Sequence, residues 1–92
     1  MGWEWVREAL EKLQGVEPYE VSQVLAAERR WPRPAIGLGG VRVLVIYGRT
    51  HTGRPLRVVV KHKEGRDWWI VGARELRADE VAELESWEAR GE

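Results

Sequence analysis

Val41-Arg42-Val43-Leu44-Val45-Ile46-Tyr47-Gly48 changes character at every second residue, with Val41, Val43, Val45 and Tyr47 on one side and Arg42, Leu44, Ile46 and Gly48 on the other. A period of two is the side-chain period of a β-strand. Both sides are largely apolar, so a central position in a sheet is expected. Arg49-Thr50-His51-Thr52-Gly53-Arg54-Pro55 then reads as a polar loop. The alternation resumes from Leu56 to Lys63, where Leu56, Val58, Val60 and His62 oppose Arg57, Val59, Lys61 and Lys63. Glu64-Gly65-Arg66-Asp67 makes the next turn, and Trp68 to Arg74 is a third β-rich run. Three consecutive strands with short turns predict an antiparallel meander.

Working outward, the flanks change to helical periods. Upstream, Val6, Ala9, Leu10 and Leu13 share one helical face over 6–14, Gly15 supplies a left-handed stop, and Glu17-Pro18 restarts a helix carrying Val21, Val24 and Leu25. Trp31-Pro32-Arg33-Pro34 and Gly37-Leu38-Gly39-Gly40 read as a Pro/Gly-rich connection without periodicity. Downstream, Val81, Leu84 and Trp87 fall at helical spacing over 79–89, with glutamates on the remaining positions. Trp3-Glu4-Trp5 is read as a short N-terminal strand. The expected fold is α+β: a three-stranded meander, with a fourth N-terminal strand as an option, and helices packed on one face.

Composition narrows the function classes. The 92 residues fit a single domain, 1–92, which excludes separate cofactor and substrate lobes. No apolar run approaches the roughly 18 residues of a spanning helix, and the start of the chain, with Glu4 and Glu8, lacks the basic-then-apolar order of a secretory signal. Cytoplasmic residence without membrane contact is therefore expected. The absence of cysteine excludes disulfides, thiolate nucleophiles and sulfur metal sites. Neither His51 nor His62 belongs to a spaced ligand motif, Ser22, like Ser86, falls in an expected helix, and the glycines at 37, 39 and 40 lack the Lys and Ser/Thr of a phosphate loop. No metal or cofactor is expected.

A formal net charge of zero conceals a segregation. Residues 1–28 carry −4, residues 29–74 carry +9 and residues 75–92 carry −5. Two readings stand: Glu-rich outer faces of terminal helices, or a basic centre that meets phosphates. Twelve of the fifteen basic residues are arginines, which suit bidentate phosphate contacts. Metal-free RNA cleavage fits this inventory, because a 2′-hydroxyl can attack its own phosphate when a base takes its proton and cations stabilise the phosphorane. His51, in the basic loop, is the candidate for proton transfer. Arg57, Lys61 and Lys63, with Arg49, Arg54 and Arg74, are expected to gather on an open sheet face, and Arg42 carries phosphate and solvent readings equally. His62, on the side of Leu56, Val58 and Val60, is as much a buried structural histidine as a functional one. Trp68 and Trp69 point to opposite sides, so one belongs to the core and Trp69 is the candidate for base stacking.

In this order, Trp3 to Trp5, Gly15-Val16-Glu17-Pro18-Tyr19-Glu20-Val21, Gly48-Arg49-Thr50, Gly53-Arg54-Pro55-Leu56 and Ile70-Val71-Gly72-Ala73-Arg74 resemble the BrnT family of type II toxins across nearly the whole chain. The resemblance implies a RelE-like ribonuclease fold, growth arrest by RNA cleavage, a cognate ribbon-helix-helix antitoxin and oligomers formed through it. It places Arg49, Arg54 and Arg74 as the first phosphate contacts. The chain also departs from the pattern. Gln14-Gly15-Val16 replaces a common His-Gly-Val, Gly39-Gly40-Val41-Arg42 stands where a Glu-Arg pair is usual, and Trp69 replaces a basic or polar residue. A catalytically inactive toxin-like module, binding nucleic acid or an acidic protein through its basic sheet face, is the alternative.

Overall fold

The fold is taken from a computed structural model, which describes residues 2–91. It is an α+β fold built on a five-stranded mixed sheet. The order along the chain is β1 (Gly2–Trp5), α1 (Arg7–Glu11), α2 (Pro18–Ala26), β2 (Trp31–Ile36), β3 (Arg42–Arg49), β4 (Pro55–Glu64), β5 (Asp67–Glu75) and α3 (Ala78–Ala89), with a short 3-10 helix at Leu38–Gly40. Spatially the strands run β1-β5-β4-β3-β2. The three runs expected from their alternation form β3, β4 and β5, each antiparallel to the next, and all three lie inside the sheet. The N-terminal strand also forms and pairs parallel with β5, Trp3 opposite Trp68.

Two expectations need correction. The sheet has five strands, because Trp31-Pro32-Arg33-Pro34-Ala35-Ile36 is a strand paired antiparallel with β3, Trp31 opposite Tyr47 and Ala35 opposite Val43. Proline is compatible with an edge strand when its missing N–H faces outward. Pro32 and Pro34 share one phase, so the residues between them supply the ladder bonds to β3. The second correction concerns the helices, which occupy both faces of the sheet.

Two hydrophobic clusters show why both faces are covered. On one, Val21, Val24 and Leu25 of α2 pack with Ile46, Leu56, Val58, Val60 and Ile70. On the other, Leu84 of α3 packs with Val45, Tyr47 and Leu76, joined by half-buried Trp31, Val81 and Trp87. A strand that is apolar on both sides must bury both, and one layer of helix cannot do that. Trp87 stacks on Trp31, centroids 5.6 Å apart and planes 7° from parallel. α1 is shorter than its periodicity predicts and has no buried residue, while Gly15 takes the expected left-handed φ of 70°. Among the described residues no helix is long and apolar enough to cross a membrane.

α2 and α3 start by the same device. In each, the third helical residue is a glutamate whose carboxylate accepts the backbone N–H of the capping residue, Glu17 to Glu20 and Arg77 to Glu80, both at 2.9 Å. That is half of a capping box, and it sets a negative charge at the positive end of the helix dipole. Each glutamate is buried and also holds an arginine of the sheet region: Arg54 for Glu20, Arg74 for Glu80.

Candidate phosphate-binding site

On the α3 face, register places three side chains in one row across the sheet: Tyr47 on β3, Arg57 on β4 and Arg74 on β5. Glu80 reaches over this row from the first turn of α3. Its Oε2 accepts the Tyr47 hydroxyl at 3.1 Å, and its two oxygens take Arg74 Nη1 and Nη2 at 2.7 and 2.9 Å. Only 4% of Glu80 is exposed, and these donors, Arg74 foremost, hold its pKa down from 4.5 to about 2 despite the opposing effect of burial. Saturated in this way, Glu80 is a fixed negative charge and a poor proton acceptor.

Beside the row opens a pocket of about 510 Å3 lined by Arg33, Arg57, Arg74 and Arg77 around Tyr47 and Glu80. Four guanidiniums around one cavity suit a phosphate, whose oxygens match their planar donors. Arg33 sits in the corner between the Trp31 and Tyr47 rings, which stand 89° to each other, its guanidinium carbon 4.1 and 4.4 Å from their centres, and its Nε is buried without a partner. Among the described residues no carboxylate pairs with Arg57. A second, more apolar hollow of about 500 Å3 continues from Arg57 over Val43, Val59 and Val71 towards Lys61. Lys61 faces Trp69 across the strands, and Lys63 Nζ sits 4.7 Å above the Trp69 ring.

The residues singled out from the sequence are thus only partly brought together. Arg57, Lys61, Lys63 and Trp69 share the α3 face with Arg74, although Lys63 is also bound to Glu4. Arg42 has the opposite phase and lies beside His62 and Trp68. Arg49 is bidentate to Glu88 at 2.9 and 3.0 Å and donates to the Gly53 carbonyl, and its pKa is raised chiefly by the Glu88 hydrogen bonds. Arg54 turns towards α2, where it binds Glu20, Glu75 and the Gly15 carbonyl and so ties three segments together. His51 sits exposed in the β3–β4 turn, its backbone N–H donated to Gln23, and does not line the pocket. His62 is exposed, with its ring edge-on to Trp68 at 5.0 Å and Nε2 donating to the Gly65 carbonyl, so it is not a core histidine.

Arg33, Tyr47, Arg77 and Glu80 are pocket residues that sequence reasoning passed over. A signal for Arg33 existed, since Trp31, Arg33 and Ala35 alternate with Pro32, Pro34 and Ile36. Chemically the pocket can hold a phosphate dianion and spread its charge over several guanidiniums. Apart from arginine, its titratable groups are Tyr47 and Glu80. No family model matches the chain, and no curated protein matches it.

Proposed function

We propose that this chain is a toxin-type, metal-independent endoribonuclease with a RelE-like fold, acting on RNA in the cytoplasm and held in check by a cognate antitoxin. The observation that carries this reading is the pocket lined by Arg33, Arg57, Arg74 and Arg77, with Arg57 free of any carboxylate among the described residues. The ordered likeness to the BrnT family supplies the toxin and the antitoxin. In this reading the scissile phosphate sits between Arg57 and Arg33, charge developing on it is stabilised by the guanidiniums, and adjoining bases lie along Val59, Val71 and Trp69. Apart from the guanidiniums, the proton donor lining that pocket is the Tyr47 hydroxyl, which is donated to Glu80.

A second reading is favoured by one observation: the pocket has no histidine and its carboxylate is locked. The same face would then bind RNA without turnover. The deciding experiment incubates the protein with labelled single-stranded RNA in excess chelator, beside Arg57→Ala. Cleavage that persists in chelator and falls about 100-fold or more in the variant supports the ribonuclease, by analogy with loss of one charge-stabilising donor. A salt-sensitive gel shift without cleavage selects the binding module. Neither cleavage nor shift overturns both readings.

A further inference from the structure

We propose that α3 is an internal competitor for RNA phosphate, its carboxylates occupying in cis the sheet arginines that would otherwise hold the RNA backbone. This rests on the phosphate-face reading above and concerns the regulation of that same face. One arc of α3 carries Glu80, Glu83 and Glu88 together with the docking residues Leu84 and Trp87, as their spacing on a helix requires. The three carboxylates reach three different strands: Glu80 to Arg74 on β5, Glu83 to Arg33 on β2 and Glu88 to Arg49 on β3. α3, with Asp79, Glu80, Glu83, Glu85 and Glu88 and no basic residue, thus lies against the basic sheet as a helical polyanion.

The three pairs are not equivalent. Glu80 caps its own helix and its side chain is 5% exposed, so it belongs to the fold. The Arg33–Glu83 and Arg49–Glu88 pairs are each about one-third or more exposed on both partners, which lets an incoming anion exchange with them. Arg33 is the clearer case. Its single contact to Glu83 is long, 3.4 Å, and its buried Nε has no acceptor, so the guanidinium is seated between two rings with its donors largely unfilled. A phosphate offers the two parallel acceptors that Glu83 does not supply. Release needs only a swing of Glu83 and Glu88, because Leu84 and the Trp87–Trp31 stack keep the helix docked. An isolated phosphate recovers one arginine at most, whereas an RNA strand presents several phosphates at once, so the competition selects for polymer.

The test measures the affinity of a fluorescein-labelled single-stranded RNA of about 20 nucleotides across a salt series. It compares the wild type, Glu83→Gln/Glu88→Gln and the control Glu8→Gln/Glu11→Gln, which removes the same two charges from α1, where neither residue pairs with a sheet arginine. Each released arginine is worth about 1.5- to 5-fold, the range of exposed ion pairs. The α3 variant is therefore expected to bind about 2- to 25-fold tighter, with the control within about 2-fold of wild type. Equal affinities in all three, or equal gains in both variants, overturn the competition while leaving RNA binding standing. No binding by any of the three overturns the phosphate-face reading itself, and the competition with it. If the double variant fails to melt cooperatively, Glu83→Gln alone decides, since it removes only the long Arg33 contact and must still tighten binding.

Discussion

Glu80 shows how a single carboxylate joins secondary structure, core and site. It accepts the Arg77 N–H to start α3, holds Tyr47 beneath the helix and neutralises Arg74. Its folded pKa of about 2 lies below the ordinary 4.5, so the stabilisation it gives is complete above about pH 4.5 and is lost as pH falls towards 2. Glu80→Gln should cost on the order of 2–3 kcal/mol at neutral pH, measured by urea unfolding. The difference from wild type should shrink steadily through that acid window and vanish near its lower end, and a pH-independent difference would refute the ionic account. The sequence put this glutamate on an outer face, because Val81, Leu84 and Trp87 mark the apolar stripe but say nothing of an arginine-rich surface opposite. The same blindness applies to Arg49 and Arg54: their charge was legible, whereas the carboxylates that consume their donors come from segments distant along the chain.

Among the elements, those with strict periods were legible to within a few residues. β3, β4, β5, α2 and α3 stand close to where alternation or helical spacing put them. β2 was hidden by its prolines, which are usually read as breakers and are tolerated here because the strand is an edge. The packing of α2 on β3 makes a sharper test of the layer arrangement. A Cβ built at Gly48 would come within 2.9 Å of Val24 Cγ1 and 3.6 Å of Arg30 Cβ, whereas at Gly72 it would meet nothing within 4 Å. Gly48→Ala is expected to destabilise by about 1–3 kcal/mol through overpacking, while Gly72→Ala should be neutral or slightly stabilising, by up to about 1 kcal/mol, because a strand glycine loses more backbone freedom on folding. Thermal melting of both variants checks this, and equal melting temperatures would mean that α2 does not press on β3 as described.

For the molecule as a whole, the two faces of one sheet are held by different physics. α2 docks chiefly through Val21, Val24 and Leu25, all buried, and its one ion pair to the sheet region, Glu20–Arg54, is less exposed than the open pairs of α3. α3 buries Leu84 and otherwise relies on the Trp87–Trp31 stack and on carboxylate–arginine pairs, two of them partly open to solvent. Burial of apolar area changes little with moderate salt, whereas exposed ion pairs weaken as the screening length falls below about 10 Å. α3 should therefore open separately from the rest, as a unit of lower stability. Native-state hydrogen exchange should show the amides of residues 81–89 exchanging at least about 10-fold faster than those of β4, with the gap widening as salt is raised while β4 and α2 stay unchanged. If α3 amides exchange only by global unfolding at every salt concentration, then the helix is an integral wall of the fold, and the charge segregation along the chain serves its docking alone. The opposite result would mean that the same ionic contacts that close the basic face also set how readily it opens to a polyanion.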